Sequence, residues 1–575
     1  MSPSQIIVLA TPVFLLLIAL EVAWGIAKGR NTYRLNDALT SVGLGVLSQI
    51  SAVLTPALRI GIYTVVFEHV ALARHDAFWL SAGGWLLALV CYDFCYYWLH
   101  RAGHEVAVFW AAHVVHHQSQ DYNLSTALRQ TSSGALLGWL FYLPMALVGV
   151  PPLVFGVVAL IDLLYQFWVH TEHVGKLGWF DRWFCSPSNH RVHHAVNNQY
   201  LDRNYGGILI IWDRLFGSFQ EEDAPCIYGT RQPLNSWDPL WANVEVYADL
   251  LRTSWRTRRW RDKLMVWLRP PGWRPTDLPV GPAFELARVR RYDPPASRAV
   301  QALGSLQFAL LLGASVLFLW HADTLPAVSA AIWLAALTAG LWSLGGLLQG
   351  RLSVLDVLFI ASAALTTAGS AAGLPLLHQL CKPLPLLFAL GRVIHAAPSG
   401  GARGLLLVAL AASLAGDIFL MLPPGYFVAG LLSFLLAHLA YLALFRRGLP
   451  WFASRIALVL SLVYGAAVCA VLWTDLPAPL RAPVAIYVLA ITLMVAQAVG
   501  RARLHPCPGA TRVAVGAGLF LLSDTLLALD RYTMPLPQAS FWVLATYYAA
   551  QFLIVRGVLA DAARGLPSVR TPRAA

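Results

Sequence analysis

Ten of the 17 histidines in this 575-residue chain fall between His100 and His194, and they recur at helical spacing. His100 and His104 are four apart in HRAGHE. His113, His116 and His117 follow in HVVHH, and His190, His193 and His194 repeat that triplet in NHRVHH. Residues three or four apart share one helix face, so each group aims two or three imidazoles at a common point. Neutral imidazole suits iron, zinc and copper, whereas softer and harder ligands are nearly absent from these three groups. Eight imidazoles exceed what one ion can take, which predicts two metals. A lone histidine is ordinarily a packing or surface residue; three groups at ligand spacing are not read that way.

The elements that must carry these groups are apolar. The chain is 58% hydrophobic and only 12% charged, about half the ~25% charged residues usual for a soluble protein. The fold class expected is therefore all-α, a polytopic helical membrane protein. Ile6–Ile26 reads as a retained anchor, without the basic start and small-residue cleavage site of a signal peptide. Its basic sequel Lys28, Arg30 and Arg34 favours the cytoplasm. Asn36–Val70, broken at Pro56, and Phe78–Leu99 follow, the latter delivering His100. Polar residues Gln118–Ser133 connect to Ala135–Val150 and Leu153–Val169, predicted as a hairpin going out and back. An even number of crossings is what would put His190–His194 on the same side as His100–His117. The returning segment carries Asp162, Gln166 and His170 on one stripe, and polar residues on one stripe of a membrane helix face the protein interior or a polar cavity. His170 becomes a further candidate ligand, and Asp162 and Gln166 become candidates either for orienting imidazoles or for interhelical hydrogen bonds.

A polar segment spanning 171–300 is expected on the cytoplasmic side. Between Arg252 and Arg298 it carries twelve Lys or Arg against four Asp or Glu, interleaved with Trp255, Trp260, Trp267 and Trp273, within a net charge of +12. Basic residues mixed with tryptophan suit an anionic membrane surface; no nucleic-acid recognition motif accompanies them, and no nucleic-acid partner is expected. Seven cysteines form no CxxC pair, and Cys91 and Cys95 read as packing residues. From Ala302 onward spans resume almost without pause. Residues 1–351, 352–562 and a tail over 563–575 are the expected divisions, with the junction near Trp342–Ser353.

HRAGHE, HVVHH and NHRVHH resemble the three histidine boxes of the fatty acid hydroxylase/sterol desaturase superfamily of membrane di-iron oxygenases. His104-Glu105, WAAHVVHH followed by DYNLSTALRQ, and HTE at His170–Glu172 are similar to its alkylglycerol monooxygenase branch. The resemblance implies that His100, His104, His113, His116, His117, His190, His193 and His194 bind two iron ions and that Glu105 is an essential acid. It also implies hydroxylation of a lipid C–H next to an ether oxygen, giving a hemiacetal that collapses to a fatty aldehyde. An external reductant would be needed, tetrahydrobiopterin in animal relatives.

The later spans bury ionisable residues: Lys382, Arg392, His395, Asp417, His438, Asp524 and Asp530. Such groups are functional candidates by default. Asp417 and Asp524 are candidate general acids, or alternatively partners of Lys382 or Arg392 in structural ion pairs. KPLPLL, AGDIFLML, FLLAHLAY and SDTLLALDR over Leu352–Ala560 resemble the lysoplasmalogenase family of eight-span membrane hydrolases, which implies vinyl-ether hydrolysis with Asp417 and Asp524 as its membrane acids. Two rivals stand beside this reading. One is a sterol or fatty-acyl hydroxylase or desaturase carrying a non-catalytic membrane domain; the other is a multi-span metal transporter or sensor, which would place coordinating residues near midplane rather than at helix ends.

Overall fold

The computed structural model describes residues 3–396 and 400–563; of the tail expected from 563, residues 564–575 lie outside the described residues. Among the described residues the chain is helical, with two isolated β-bridges, Phe184–Leu209 and Ala195–Tyr228, and no longer strand. Among the described residues, ten helices are long and apolar enough to cross a bilayer, and the protein is a multi-pass integral membrane protein. It packs as two compact units that divide between Arg351 and Leu352.

In the first unit, the apolar helices Pro3–Ala27, Arg298–His321 and Ala327–Leu348 meet the helix Leu35–Ala52. Val8, Leu47, Ile50, Phe318 and Leu341 are buried between them. At 25 residues, the first helix reaches about 37 Å, enough for a hydrocarbon core of ~30 Å. The segment Asn36–Val70 breaks at Pro56 into Leu35–Ala52, a π-turn at Ala57–Gly61 and Ile62–Val70.

The helix Ala82–Glu105 starts on a Ser81 cap, whose hydroxyl accepts the Gly84 amide at 3.2 Å. It runs past Leu99, so His100 and His104 stand on the helix itself. Val106 turns extended and the helix Ala107–His117 begins at once. A β-carbon at Gly103 would stand 3.3 Å from the His113 ring, which gives the glycine of HRAGHE its reason: it lets the two histidine helices approach closely. The helices Pro239–Arg256 and Trp260–Leu268 press Leu250 and Val266 onto Ala107 and Ala111, backing the second histidine helix.

The hairpin predicted before His170 differs from expectation. Instead of one helix over Ala135–Val150 there are 3-10 turns at Gly134–Leu136 and Gly138–Tyr142 and a short helix Leu143–Leu147. Glycines 134 and 138 weaken the helix, Pro144 cannot donate within it, and Gly149 takes a left-handed φ of 89° against the Ala73 carbonyl. The returning helix Pro152–Trp168 has 17 residues, about 26 Å, shorter than the ~30 Å core. The pair packs against Ile62–Val70 and Ala82–Glu105, with Tyr63 stacked on Phe155 at 4.0 Å and Tyr92 on Tyr142 at 4.7 Å. The apolar run Ile208–Trp212 is a bridge at Leu209 followed by the helix Ile211–Leu215.

In the second unit, seven long helices, Val354–Ala371, Gly401–Met421, Phe427–Arg446, Arg455–Leu472, Ala478–Leu504, Pro508–Tyr532 and Ala539–Ala563, are joined by a broken pair, Pro375–Cys381 and Leu384–Ala396. Their shared core includes Leu386, Leu410, Tyr441, Met494 and Phe520. Asp356 closes a capping box with Ser353 and receives Arg556 at 2.9 Å and Arg392 at 3.5 Å.

A glycine in the first unit offers a test of this packing. A β-carbon at Gly45 would lie 2.3 Å from the Leu128 carbonyl, while at Gly313 it would meet nothing within 4 Å. Gly45→Ala should cost about 1–3 kcal/mol through overpacking and lower the unfolding temperature of the purified protein. Gly313→Ala should leave it level or raised, since alanine is the better helix former.

Candidate metal centre and a second acid site

Nine imidazoles converge in the first unit as two groups, His100, His104, His113, His117 and His193 in one and His116, His170, His190 and His194 in the other. Within each group the ligand nitrogens lie within 4.8 Å of one another. The three sequence boxes and His170 are therefore brought to one place by helices Ala82–Glu105, Ala107–His117, Pro187–His194 and the end of Pro152–Trp168. Ser186 caps the third of these helices, accepting the Asn189 amide.

Outer partners set which nitrogen faces inward. The Nδ1 of His100 donates to the Tyr205 carbonyl at 2.7 Å, His193 to Arg203 at 3.0 Å, His116 to Arg129 at 3.0 Å and His170 to Gln166 at 2.7 Å. A carbonyl only accepts, so in each ring the proton is on Nδ1 and the lone pair on Nε2 is left for a metal.

The residues fit a metal pair. The inward nitrogens approach at 3.1 Å for His100–His113, 3.0 Å for His113–His117, 3.1 Å for His116–His170 and 3.1 Å for His170–His190. Two imidazole bonds of roughly 2.1 Å set at a right angle leave their nitrogens about 3.0 Å apart, against about 3.4 Å at a tetrahedral angle. The observed spacing suits the right-angled arrangement of octahedral-type ions. Among the described residues the buried Nε2 atoms of His104, His193 and His194 have no hydrogen-bond partner, a cost that a bound ion removes. Burial pushes His116 down to about 4. Burial and neighbouring imidazoles also hold His117, His190, His193 and His194 well below the ordinary histidine range. All are thus kept in the neutral form that ligates.

A cavity of about 350 Å³ reaches this centre. His113, His116 and His170 form part of its wall, and Phe14, Val46, Leu163 and Leu312 are among its apolar lining. Asp162 and Gln166 also line it, but their roles differ from a direct grip on histidine. Gln166 orients His170 through its backbone carbonyl, while its side chain donates to Asp162 at 2.5 Å and accepts from Tyr96 at 2.6 Å. Glu105 points elsewhere: its carboxylate accepts from Arg101 at 2.9 Å, is 44% exposed and belongs to neither imidazole group.

Glu21, in the first apolar helix, is a residue sequence reasoning did not single out. Buried, it accepts from Tyr33, Thr171 and the Leu124 amide, tying the segments on either side of the histidine helices to the anchor. Its only sequence signal is an acid inside an apolar run.

The second unit holds a cavity of about 330 Å³ lined by both Asp417 and Asp524, with Lys382 and His378. Tyr547 donates to Asp417 at 2.8 Å, and Tyr487 donates to Asp524 at 2.6 Å. His438 Nε2 stands 2.9 Å from the Tyr487 hydroxyl and 3.3 Å from Asp524. Arg392 is taken by Asp356, and among the described residues Lys382 forms no ion pair within 4.0 Å, so neither cation closes a salt bridge on the two candidate acids. The tyrosines that hold these acids carry no motif in the sequence.

Residues 85–218 match the fatty acid hydroxylase family and residues 377–558 match the YhhN family. The chain is 40% identical over 309 residues to an alkylglycerol monooxygenase of Homo sapiens, covering 53% of this chain and 68% of that protein. With the alkylglycerol monooxygenase of Danio rerio it shares 37% over 347 residues, 60% of this chain and 77% of the relative. Lysoplasmalogenase TMEM86B of Homo sapiens is 36% identical over 180 residues, 31% of this chain and 74% of that protein. No solved structure matches the chain.

The geometry predicts close to two transition-metal ions per purified chain, one for each imidazole group. His116→Ala and His193→Ala, drawn from different groups, should each lower the metal content by about one ion while membrane insertion is kept, measured by elemental analysis against protein concentration. Unchanged content in both variants would reject the assignment.

Proposed function

The chain belongs to the alkylglycerol monooxygenase family of oxidoreductases and carries in addition a part belonging to the lysoplasmalogenase family, and from that premise we propose that it releases fatty aldehydes from ether lipids at two sites. In the first, the nine-histidine centre would oxidise the carbon next to the ether oxygen of an alkylglycerol. In the second, the cavity at Asp417 and Asp524 would hydrolyse a vinyl ether. The observation that carries the first reading is the mostly apolar cavity ending on His113, His116 and His170, because it offers an alkyl chain a path to the metal centre.

Two iron ions held by these imidazoles would supply O2 reduction and cleavage of the unactivated C–H bond. What the chain's own residues do can be stated separately. Phe14, Val46, Leu163 and Leu312 hold the alkyl chain and keep water away from it. The carbonyls of Tyr205, Arg203, Arg129 and Gln166 fix the imidazole orientations. One oxygen atom of O2 enters the substrate as a hydroxyl and the other leaves as water, with two electrons and two protons from an external donor. The product is a hemiacetal, which collapses to aldehyde and glycerol without further oxidation. Tetrahydrobiopterin is the donor we propose. The basic loop Lys28–Arg34 and the Arg-rich stretch Arg252–Arg298 support a cytoplasmic position for this centre.

At the second site, an enol ether must be protonated on carbon and then attacked by water. Asp417, held by Tyr547, is assigned the proton donation; Asp524, between Tyr487 and His438, is assigned removal of a proton from the water. The hemiacetal so formed again yields an aldehyde, with one water consumed and no oxidant.

Incubation with an alkylglycerol and with an alkenyl lysophospholipid, each with and without O2 and tetrahydrobiopterin, separates the two activities. Aldehyde from the alkyl lipid should need O2 and reductant, and aldehyde from the alkenyl lipid should need neither. Asp417→Asn should lower the second activity by about 100-fold or more, within the span of general acid catalysis, and leave the first intact. Alkenyl hydrolysis that survives this substitution would remove Asp417 from the acid role.

A further inference from the structure

The two imidazole groups are oriented in different ways. In the group His100, His104, His113, His117 and His193, two rings take their carbonyl partner from one short stretch, Asp202 to Tyr205, and a third stands beside its first residue. His193 donates to the Arg203 carbonyl at 3.0 Å, His100 donates to the Tyr205 carbonyl at 2.7 Å, and His104 Nδ1 stands 3.6 Å from the Asp202 carboxylate. In the other group the carbonyl partners are Arg129 and Gln166, which come from two separate parts of the chain.

The stretch is held in an unusual backbone. Asp202 and Asn204 both take left-handed φ values, 57° and 56°, a conformation that Asn and Asp tolerate better than most side chains. With two such residues flanking Arg203, its carbonyl and that of Tyr205 are turned toward the histidines. Asn204 is fully buried and locked by three side-chain hydrogen bonds: it donates to the Asn189 carbonyl at 3.0 Å and the Gln220 carbonyl at 2.8 Å, and accepts the Gln220 amide at 2.8 Å. Asn189 itself lies on the helix Pro187–His194. Asp213 accepts the amides of Tyr205 and Gly206 at 2.8 and 2.7 Å, closing the far end. On the outside, the Asp202 side chain is 45% exposed.

From this we propose that Asp202–Tyr205 is a clasp serving one metal position, with Asn204 as its lock and Asp202 as its outward-facing member. Both are positioning residues: they act through His193, His100 and His104 and touch no reacting atom. The group His116, His170, His190 and His194 takes neither of its carbonyl partners from the clasp and meets it only through the Asn204–Asn189 hydrogen bond on their common helix, so the ion at His100, His104 and His193 is the one that loosens more when the clasp is cut. The proposal rests on the two-metal reading of the site.

Full-length protein in detergent, loaded anaerobically with ferrous iron, tests it by iron content and by competition with a ferrous chelator. Wild type should hold two ions. Asn204→Ala removes the three locking hydrogen bonds, and should weaken one of the two ions by about 10–100-fold, the range for loss of an outer partner, while the other changes by a clearly smaller factor. Mössbauer spectra of the iron-57 protein should then show one of two sites depleted. Asp202→Gly tolerates the same φ and lies at the surface, so it serves where Asn204→Ala does not fold; it should speed release of the same single ion. Equal weakening of both ions, as general destabilisation would give, or no change in either, overturns the clasp. A wild-type protein holding one ion or none overturns the two-metal reading instead.

Discussion

The interaction on which the first unit depends is the hydrogen bond from an imidazole Nδ1–H to a backbone carbonyl. Nine histidines crowded into a buried volume would, without direction, be nine rings with interchangeable nitrogens and mutual repulsion on protonation. Once four of them are anchored through Nδ1, their Nε2 lone pairs must point inward. Burial then keeps the neighbouring rings neutral, because charging one imidazole among several others in a place with little water is costly. Orientation and neutrality together turn a histidine-rich bundle into two sets of donors at right-angled spacing.

Much of the surrounding fold can be understood as the means of keeping those carbonyls still. The Arg129 carbonyl is steadied because its own guanidinium is fully buried and donates to the Val115 carbonyl at 2.8 Å, tying the segment after His117 back to the histidine helix. Glu21 fastens Leu124 and Thr171 to the first apolar helix. The Gln166 carbonyl is placed by a helix that starts on the Pro151–Pro152 pair and whose side-chain network with Asp162 and Tyr96 occupies the wall of the apolar cavity. Catalytic geometry of this kind is a property of backbone placement more than of the ligands themselves.

That distinction explains which parts of the molecule were legible in the sequence. The convergence of the histidines was, because the spacing of His100 and His104, and of the two triplets, is a helix-face pattern that the helices Ala82–Glu105, Ala107–His117 and Pro187–His194 realise directly. His170 was legible through its stripe with Asp162 and Gln166. The anchors were not, since every residue owns a carbonyl and nothing in the letters of Arg203 or Tyr205 says that theirs will be used. The hairpin over Ala135–Val150 was misjudged for a related reason: hydrophobicity alone suggested a helix, but Gly134, Gly138 and Pro144 decide the backbone, giving short turns instead. Glu105, singled out by resemblance, is held by Arg101, a local i,i+4 pairing that a motif carries without announcing.

The second unit solves a different problem with the same economy of means. A carboxyl group inside a helical bundle can be kept by an opposite charge, which makes it a structural ion, or by neutral donors, which leave it free to exchange a proton. Asp356 takes the first course, receiving Arg392 and Arg556. Asp417 and Asp524 each receive a tyrosine hydroxyl while facing a cavity, with Lys382 in the same cavity and His438 beside Asp524 but no arginine on either. A salt bridge at either position would hold the acid as a fixed anion and remove it from acid–base work. The choice of tyrosine over arginine as partner is thus what separates the acids proposed to act from the acid that only binds helices together, and it is a choice made by residues more than twenty positions away in the chain, Tyr487 for Asp524 and Tyr547 for Asp417.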